Sequence, residues 1–205
     1  MKTLRDLSRS LGLVTLLALS LTACDQLGGK AKSAFQGIDL TGAEYARSLN
    51  LTDQDGRSRS LADFKGKIPV VFFGYTQCPD VCPTTLAELA EVKRSLGADG
   101  ERVQGIFVTV DPERDTAALL KAYVASFDPS FVALRGSEEQ TKALAKEFKI
   151  YFAKVPGKTP ESYTMDHTAA SFIFDTQGRV RVFSRYGSGA PALANDIKLL
   201  LAEKN

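Results

Sequence analysis

The sequence predicts an α/β sandwich, a central mixed β-sheet flanked by helices. Three features carry that prediction. Pro69–Tyr75 (PVVFFGY) is a continuous apolar, β-rich run of the kind found in strands covered on both faces, and Val103–Val110 (VQGIFVTV) supplies a second strand. Each is followed by apolar residues at helical spacing. The chain then closes with a hairpin and a helix.

Taken in order, Ile38–Lys67 is mixed in composition, and Leu51–Gly56 (LTDQDG) reads as a turn between short strands. After the first central strand, Leu86, Leu89, Val92 and Leu96 mark a helix, with Thr85 and Glu88 spaced as a capping box. Leu119, Leu120, Tyr123, Val124 and Phe127 mark the helix after the second strand. Phe131–Leu134 is a short strand, and Ser137 with Gln140 opens a helix running to about Phe148. Tyr151–Val155 is strand-like, and Pro156–Met165 reads as a loop or hairpin excursion. Ala170–Phe174, the turn Asp175–Gly178 and Val180–Ser184 form the closing hairpin. The last helix begins near Pro191 and carries Leu193, Ile197, Leu200 and Leu201. This order is the outline of a thioredoxin-like sandwich, and open α/β sheets place their chemistry at the carboxyl ends of the strands.

The first 23 residues carry a different signal. Lys2, Arg5 and Arg9 precede Leu11–Leu21, an apolar run too short to span a bilayer core of about 30 Å, which takes roughly 20 residues. A basic start, a short apolar core and small residues after it read as a secretory signal. Leu21-Thr22-Ala23-Cys24 resembles a bacterial lipobox, so cleavage before Cys24 and lipidation of that cysteine are expected, with several acyl chains holding the protein to a membrane. A plain signal peptide and an uncleaved anchor are the alternatives. Asp25 favours the inner membrane under enteric-type sorting, with the domain facing the periplasm. Residues 24–37 then read as a flexible tether and 38–205 as the folded domain.

Losing the leader removes three basic residues and one acidic residue from totals of 26 and 24, which leaves 23 of each. A neutral domain without a basic patch argues against nucleic acid as a partner. The cysteines fall to two, Cys78 and Cys82, which excludes a multi-disulfide scaffold and leaves redox chemistry, a metal site or both. Both lie in GYTQCPDVCPTT, Gly74–Thr85. If that segment is helical, the two residues stand one turn apart and both sulfurs can face one point. Two thiolates and an imidazole suit Cu(I) or zinc, but structural zinc usually takes four ligands and this chain offers three. Copper is therefore the better reading. His167 is the chain's sole histidine, so any imidazole ligand must be that one. A lone histidine is more often structural, but this one precedes the strand Ala170–Phe174, and thioredoxin-like topology brings that loop beside the cysteines.

The stretch GYTQCPDVCP, then Val110–Thr116 (VDPERDT) and Met165–Thr168 (MDHT), closely resembles the Sco (SenC) family of copper chaperones, over roughly Leu40–Leu201. The resemblance implies a thioredoxin-like domain tethered on the outer face of a membrane, serving assembly of the dinuclear copper centre of cytochrome c oxidase. It implies one copper per chain, as Cu(I) and/or Cu(II), with Cys78, Cys82 and His167 as ligands and Cys78 with Cys82 as a redox-active pair. The implied partners are the oxidase's copper-site subunit, an upstream thiol reductant and a copper donor. The implied role is that of a metallochaperone more than an enzyme.

Two other classes stay open. A periplasmic thiol–disulfide oxidoreductase would use the same pair, although the usual CxxC spacing and its preceding Trp are absent. A turn can still bring the two Cα atoms to about 5.5 Å. Val81–Thr84 (VCPT) is similar to peroxiredoxins, but the Thr needed three residues before that cysteine is Pro79 here. A copper or redox sensor would hold metal without delivering it. Around the pair, Asp80 either tunes the site's charge or satisfies loop amides. Asp111 and Asp115 read as caps for the next helix, and Asp166 is a candidate to orient His167. Met165, Phe72 and Tyr75 read as packing, and Pro83 suits a first helical turn, where its missing N–H costs nothing.

Overall fold

Short strands open the fold: β1 (Ile38–Asp39), then the hairpin of β2 (Asn50–Asp53) and β3 (Ser58–Ser60). The hairpin turn is closed by the buried Asp53 carboxylate, which accepts from the backbone N–H groups of Asp55 and Arg57 and from Arg59 Nε. Strands and helices then alternate: β4 (Ile68–Gly74), α1 (Val81–Ser95), β5 (Val103–Thr109), α2 (Ala117–Ala125), β6 (Val132–Arg135) and α3 (Glu138–Glu147). An antiparallel pair of its own, β7 (Phe152–Pro156) with β8 (Tyr163–His167), leads into β9 (Ala170–Phe174), β10 (Val180–Arg185) and α4 (Ala190–Ala202). The structure is a computed structural model that describes residues 33–159 and 162–203. The expected signal segment, Cys24 and the tether up to residue 32 lie outside the described residues. Among the described residues no helix is long and apolar enough to cross a membrane.

The main sheet has the order β1-β10-β9-β4-β5-β6-β2-β3. It is mixed, as expected: β4, β5 and β6 run parallel, while β9 is antiparallel to β4 and β2 to β6. β4 and β5 are buried along their whole length, which is what an apolar run without alternation requires. Helices α1 and α4 pack against each other, and α2 packs beside β6. At the centre of the core Phe148 is fully buried, with its ring 5.1 Å from Phe73 and 5.2 Å from Phe172, both edge-on. Emptying that position removes a ring from an interlocked cluster. Phe148→Ala is expected to cost about 3–5 kcal/mol of unfolding free energy, read by urea denaturation of the reduced protein.

One local expectation changes, and two open points are filled in. Helix α1 starts at Val81, not at Thr85, and the Thr85 hydroxyl donates to Val81 O at 2.7 Å inside the helix instead of capping it. Pro83 explains the shift: its missing N–H is free of cost only in a first turn, so the helix begins before it. The excursion after Pro156 is a hairpin whose return strand pairs His167 with Phe152. Gln36 and Gly37, the last residues of the expected tether, are held to α4 by the Asp196 carboxylate, which accepts both backbone N–H groups at 2.7 and 2.8 Å. The Ser137–Gln140 capping box is present as read.

Candidate metal centre

The cysteines lie where β4 ends and α1 begins. A turn closed by Cys78 N–H to Tyr75 O carries the chain out of the strand, and Cys82 falls in the first helical turn. Cys78 is half-buried and Cys82 fully buried, and both are free thiols. The Cys82 backbone N–H donates to Cys78 Sγ at 3.4 Å. His167, the last residue of β8, comes from the opposite side and sets Nε2 3.5 Å from Cys82 Sγ. The donor atoms of Cys78, Cys82 and His167 all lie within 4.8 Å of one another, close enough for one ion to touch all three.

The imidazole is oriented by its neighbours. Its Nδ1 stands 3.2 Å from Thr168 O. A carbonyl can only accept, so Nδ1 carries the proton and Nε2 turns its lone pair toward the sulfurs. Phe72 and Tyr75 meet the ring edge-on at 5.9 and 6.0 Å, so these core residues also wall the site. Burial holds the imidazole pKa below its ordinary 6.5, with the Thr168 carbonyl and then Asp166 opposing. The shift favours the neutral ring, the form that binds a metal. Burial pushes the Cys82 thiol well up, helped by Cys78 and opposed by the Tyr75 backbone amide. Cys82 is accordingly protonated until something displaces its proton.

Two polar networks fix the loops that present these groups. Asp115 is fully buried and accepts from Thr109 Oγ1 at 2.6 Å, from Thr76 Oγ1 at 2.5 Å and from the Thr76 backbone N–H. It thereby pins the cysteine loop two residues ahead of Cys78. Burial raises the Asp115 pKa, and the threonine hydrogen bonds oppose that rise. Arg114 joins three segments: it pairs with the buried Asp111, donates to Gln77 in the cysteine loop, and donates to Tyr163 O in the hairpin. Its guanidinium stacks 3.5 Å from the Tyr163 ring centre, and the Tyr163 hydroxyl donates back to Asp111 at 2.9 Å.

These contacts correct three sequence expectations. Asp111 and Asp115 do not cap the following helix; Thr116 does, accepting from the Leu119 N–H. The ring of His167 is oriented by the Thr168 carbonyl, while Asp166 is exposed and acts on it through charge alone. Asp80 caps through no side-chain bond and instead accepts weakly, at 3.4 Å, from the Thr84 hydroxyl. Met165 is buried in the core, in keeping with a packing role.

A family model described as SCO1/SenC matches residues 39–202. The chain belongs to that family. It is 35% identical over 132 residues to the SCO2-like protein of Rickettsia felis, with 64% of each chain covered, so the alignment spans just under two thirds of that relative. Among solved structures it is 42% identical to ScoI of Bradyrhizobium japonicum with copper bound, covering 75% of this chain and 98% of that one at a TM-score of 0.68. It is 28% identical to yeast Sco1 with copper bound, covering 77% and 88% at a TM-score of 0.70. The fold is thus the thioredoxin-like sandwich of the Sco structures. Arg114, Thr76 and Gly74 escaped the sequence reading although all three stand inside its quoted motifs. Nothing in residue type alone marks which motif members touch the site and which hold it.

Proposed function

We propose that this protein is a copper metallochaperone that assists assembly of the dinuclear copper centre of cytochrome c oxidase. One observation carries the reading: two cysteines of unequal exposure and a neutral, oriented histidine converge on one point in a Sco-family fold. Two soft sulfurs and one borderline nitrogen suit Cu(I), and three donors leave room for a partner's ligand to enter before one is released. An upstream thiol donor first reduces a Cys78–Cys82 disulfide, so that the S–S bond breaks and the pair gains two electrons and two protons while the donor is oxidised. The thiols lose their protons as they take copper, and the more accessible Cys78 faces the target's thiols in a transient complex. The lipobox supports a lipid anchor at Cys24, from which the tether that follows it would carry the domain at the periplasmic face of a bacterial membrane.

An anaerobic Cu(I) titration of the reduced protein against a competing chelator tests the site. One copper per chain is expected, weakened in Cys78→Ser, Cys82→Ser and His167→Ala by more than the roughly 10–100-fold that loss of an outer-sphere partner costs. Binding that ignores His167, with rapid disulfide exchange, would assign a thiol–disulfide oxidoreductase instead. Oxidase activity that is lost on deletion and restored by added copper would separate delivery from mere sensing.

A further inference from the structure

We infer that Arg114 is a positioning residue for copper: its guanidinium braces the cysteine loop against the hairpin that carries His167, so that the two sides of the site keep one spacing. The inference rests on the proposal that Cys78, Cys82 and His167 bind one copper.

The two sides need such a brace. The cysteines follow β4, in the middle of the main sheet, whereas His167 ends β8. β7 and β8 form a two-stranded sheet separate from the main one, and a lone hairpin is only marginally stable by itself. Met165 buries the middle of β8 in the core, but apolar packing has no direction and fixes no spacing. Lys154 of β7 pairs with Glu113 at 2.6 Å, yet both are exposed, and such pairs hold little.

Directional contacts come at Arg114. Its Nη1 donates both to Tyr163 O at 2.9 Å and to Gln77 Oε1 at 3.1 Å, so one nitrogen joins the hairpin to the residue before Cys78. Its Nε pairs with Asp111, whose backbone N–H is fixed to the end of β5 by Thr109 Oγ1 at 3.0 Å. The guanidinium also lies 3.5 Å from the centre of the Tyr163 ring and 5.8 Å from that of Tyr75. Tyr75 closes the Cys78 turn with its carbonyl and meets the His167 ring edge-on. Tyr163 shares a face of β8 with His167, four residues on, so holding the one aims the other. The Nη2 of Arg114 is buried and has no partner among the described residues. A nitrogen left so is costly. A lysine would pair with Asp111 and leave none unpaired, so the ion pair alone does not account for an arginine here. The rigid fork does, because it reaches three segments from one plane.

Arg114→Lys tests this, because it keeps the charge beside the site and removes the fork. Cu(I) affinity of the reduced protein, read by chelator competition, is expected to fall about tenfold, the lower end of what loss of an outer-sphere partner costs. The same substitution is then made in His167→Ala. With the histidine gone there is no second side to hold in place. Arg114→Lys is there expected to change the affinity of the remaining cysteine pair by less than about twofold, the scatter of uncoupled sites. Equal losses in both backgrounds would overturn the inference, since the arginine would then support the cysteines or the fold at large. Full affinity in Arg114→Lys would overturn it too. Should that variant not fold, Gln77→Ala, at an exposed side chain, cuts the loop arm of the same brace and gives the same two answers. Either failure beside a wild type that binds one copper would overturn the inference alone. A wild type that binds no copper would overturn the proposed function with it.

Discussion

Gly74→Ala is expected to unseat Cys82 and to weaken Cu(I) binding on the order of 10–100-fold, the scale seen when a ligand's supporting contact is lost, while lowering stability by about 1–3 kcal/mol through overpacking. A methyl group at this position would stand 2.7 Å from Cys82 Sγ, 2.8 Å from Phe107 Cε2 and 3.0 Å from Phe72 Cε1. Phe107 and Phe72 are sealed in the core and cannot withdraw. Gly74 is equally fixed, since its register partner in β5 is Thr109 and its carbonyl accepts from the Val110 N–H at 2.8 Å. The sulfur must therefore yield, and with it the geometry toward His167. The glycine serves space here and not backbone freedom, as it is absent from the positive-φ residues. Chelator competition and urea denaturation of the same sample check both numbers. Full copper affinity in Gly74→Ala would show that the Cys82 side chain has room to move that the packing denies it.

The same residue shows what the sequence could and could not disclose. β4 was legible because seven buried positions in a row leave a pattern, and the closing hairpin because Asp175–Gly178 is a turn between two β-rich runs. The meeting of Cys78, Cys82 and His167 was legible because few residue types bind soft metals and this chain has few of them. The supports were not. Tyr163 meets Asp111 across 52 residues of chain, and Arg114 meets the Tyr163 carbonyl across 49, so no local spacing encodes either contact. Asp115 looked like a helix cap because an acidic residue before a helix ordinarily is one. It is drawn inward instead, because Thr109 and Thr76 present two hydroxyls and an amide at the ends of strands that pattern alone does not bring together. The helix start was misplaced for a related reason: Thr85 and Glu88 satisfy a capping pattern, but Pro83 tolerates a helix that begins earlier. What the sequence left out is mainly the set of groups that hold these three side chains still.

Cu(I) affinity is expected to fall by at least about tenfold for each unit of acidification, because each proton displaced on binding contributes that factor. Burial holds the Cys82 thiol above its ordinary value of 9.0, so the free site keeps this proton throughout the range from pH 5 to 8 and must surrender it to the metal. The affinity thus rises with pH, by about 100-fold or more from pH 6 to pH 8. His167 acts differently. Its pKa is depressed below 6.5 by burial, so the ring is already neutral over most of that range and adds no slope there. Only below its lowered pKa does protonation compete for Nε2, and the fall then steepens. His167→Ala is expected to keep the shallower slope at neutral pH and to lose the acid steepening, so the two ligand types can be told apart in one set of titrations. Proton release measured on adding Cu(I) at pH 7 is expected to reach at least one per copper. Binding that stays constant between pH 5 and 7 would exclude Cys82 as a ligand, because a buried thiol cannot become a thiolate without shedding its proton.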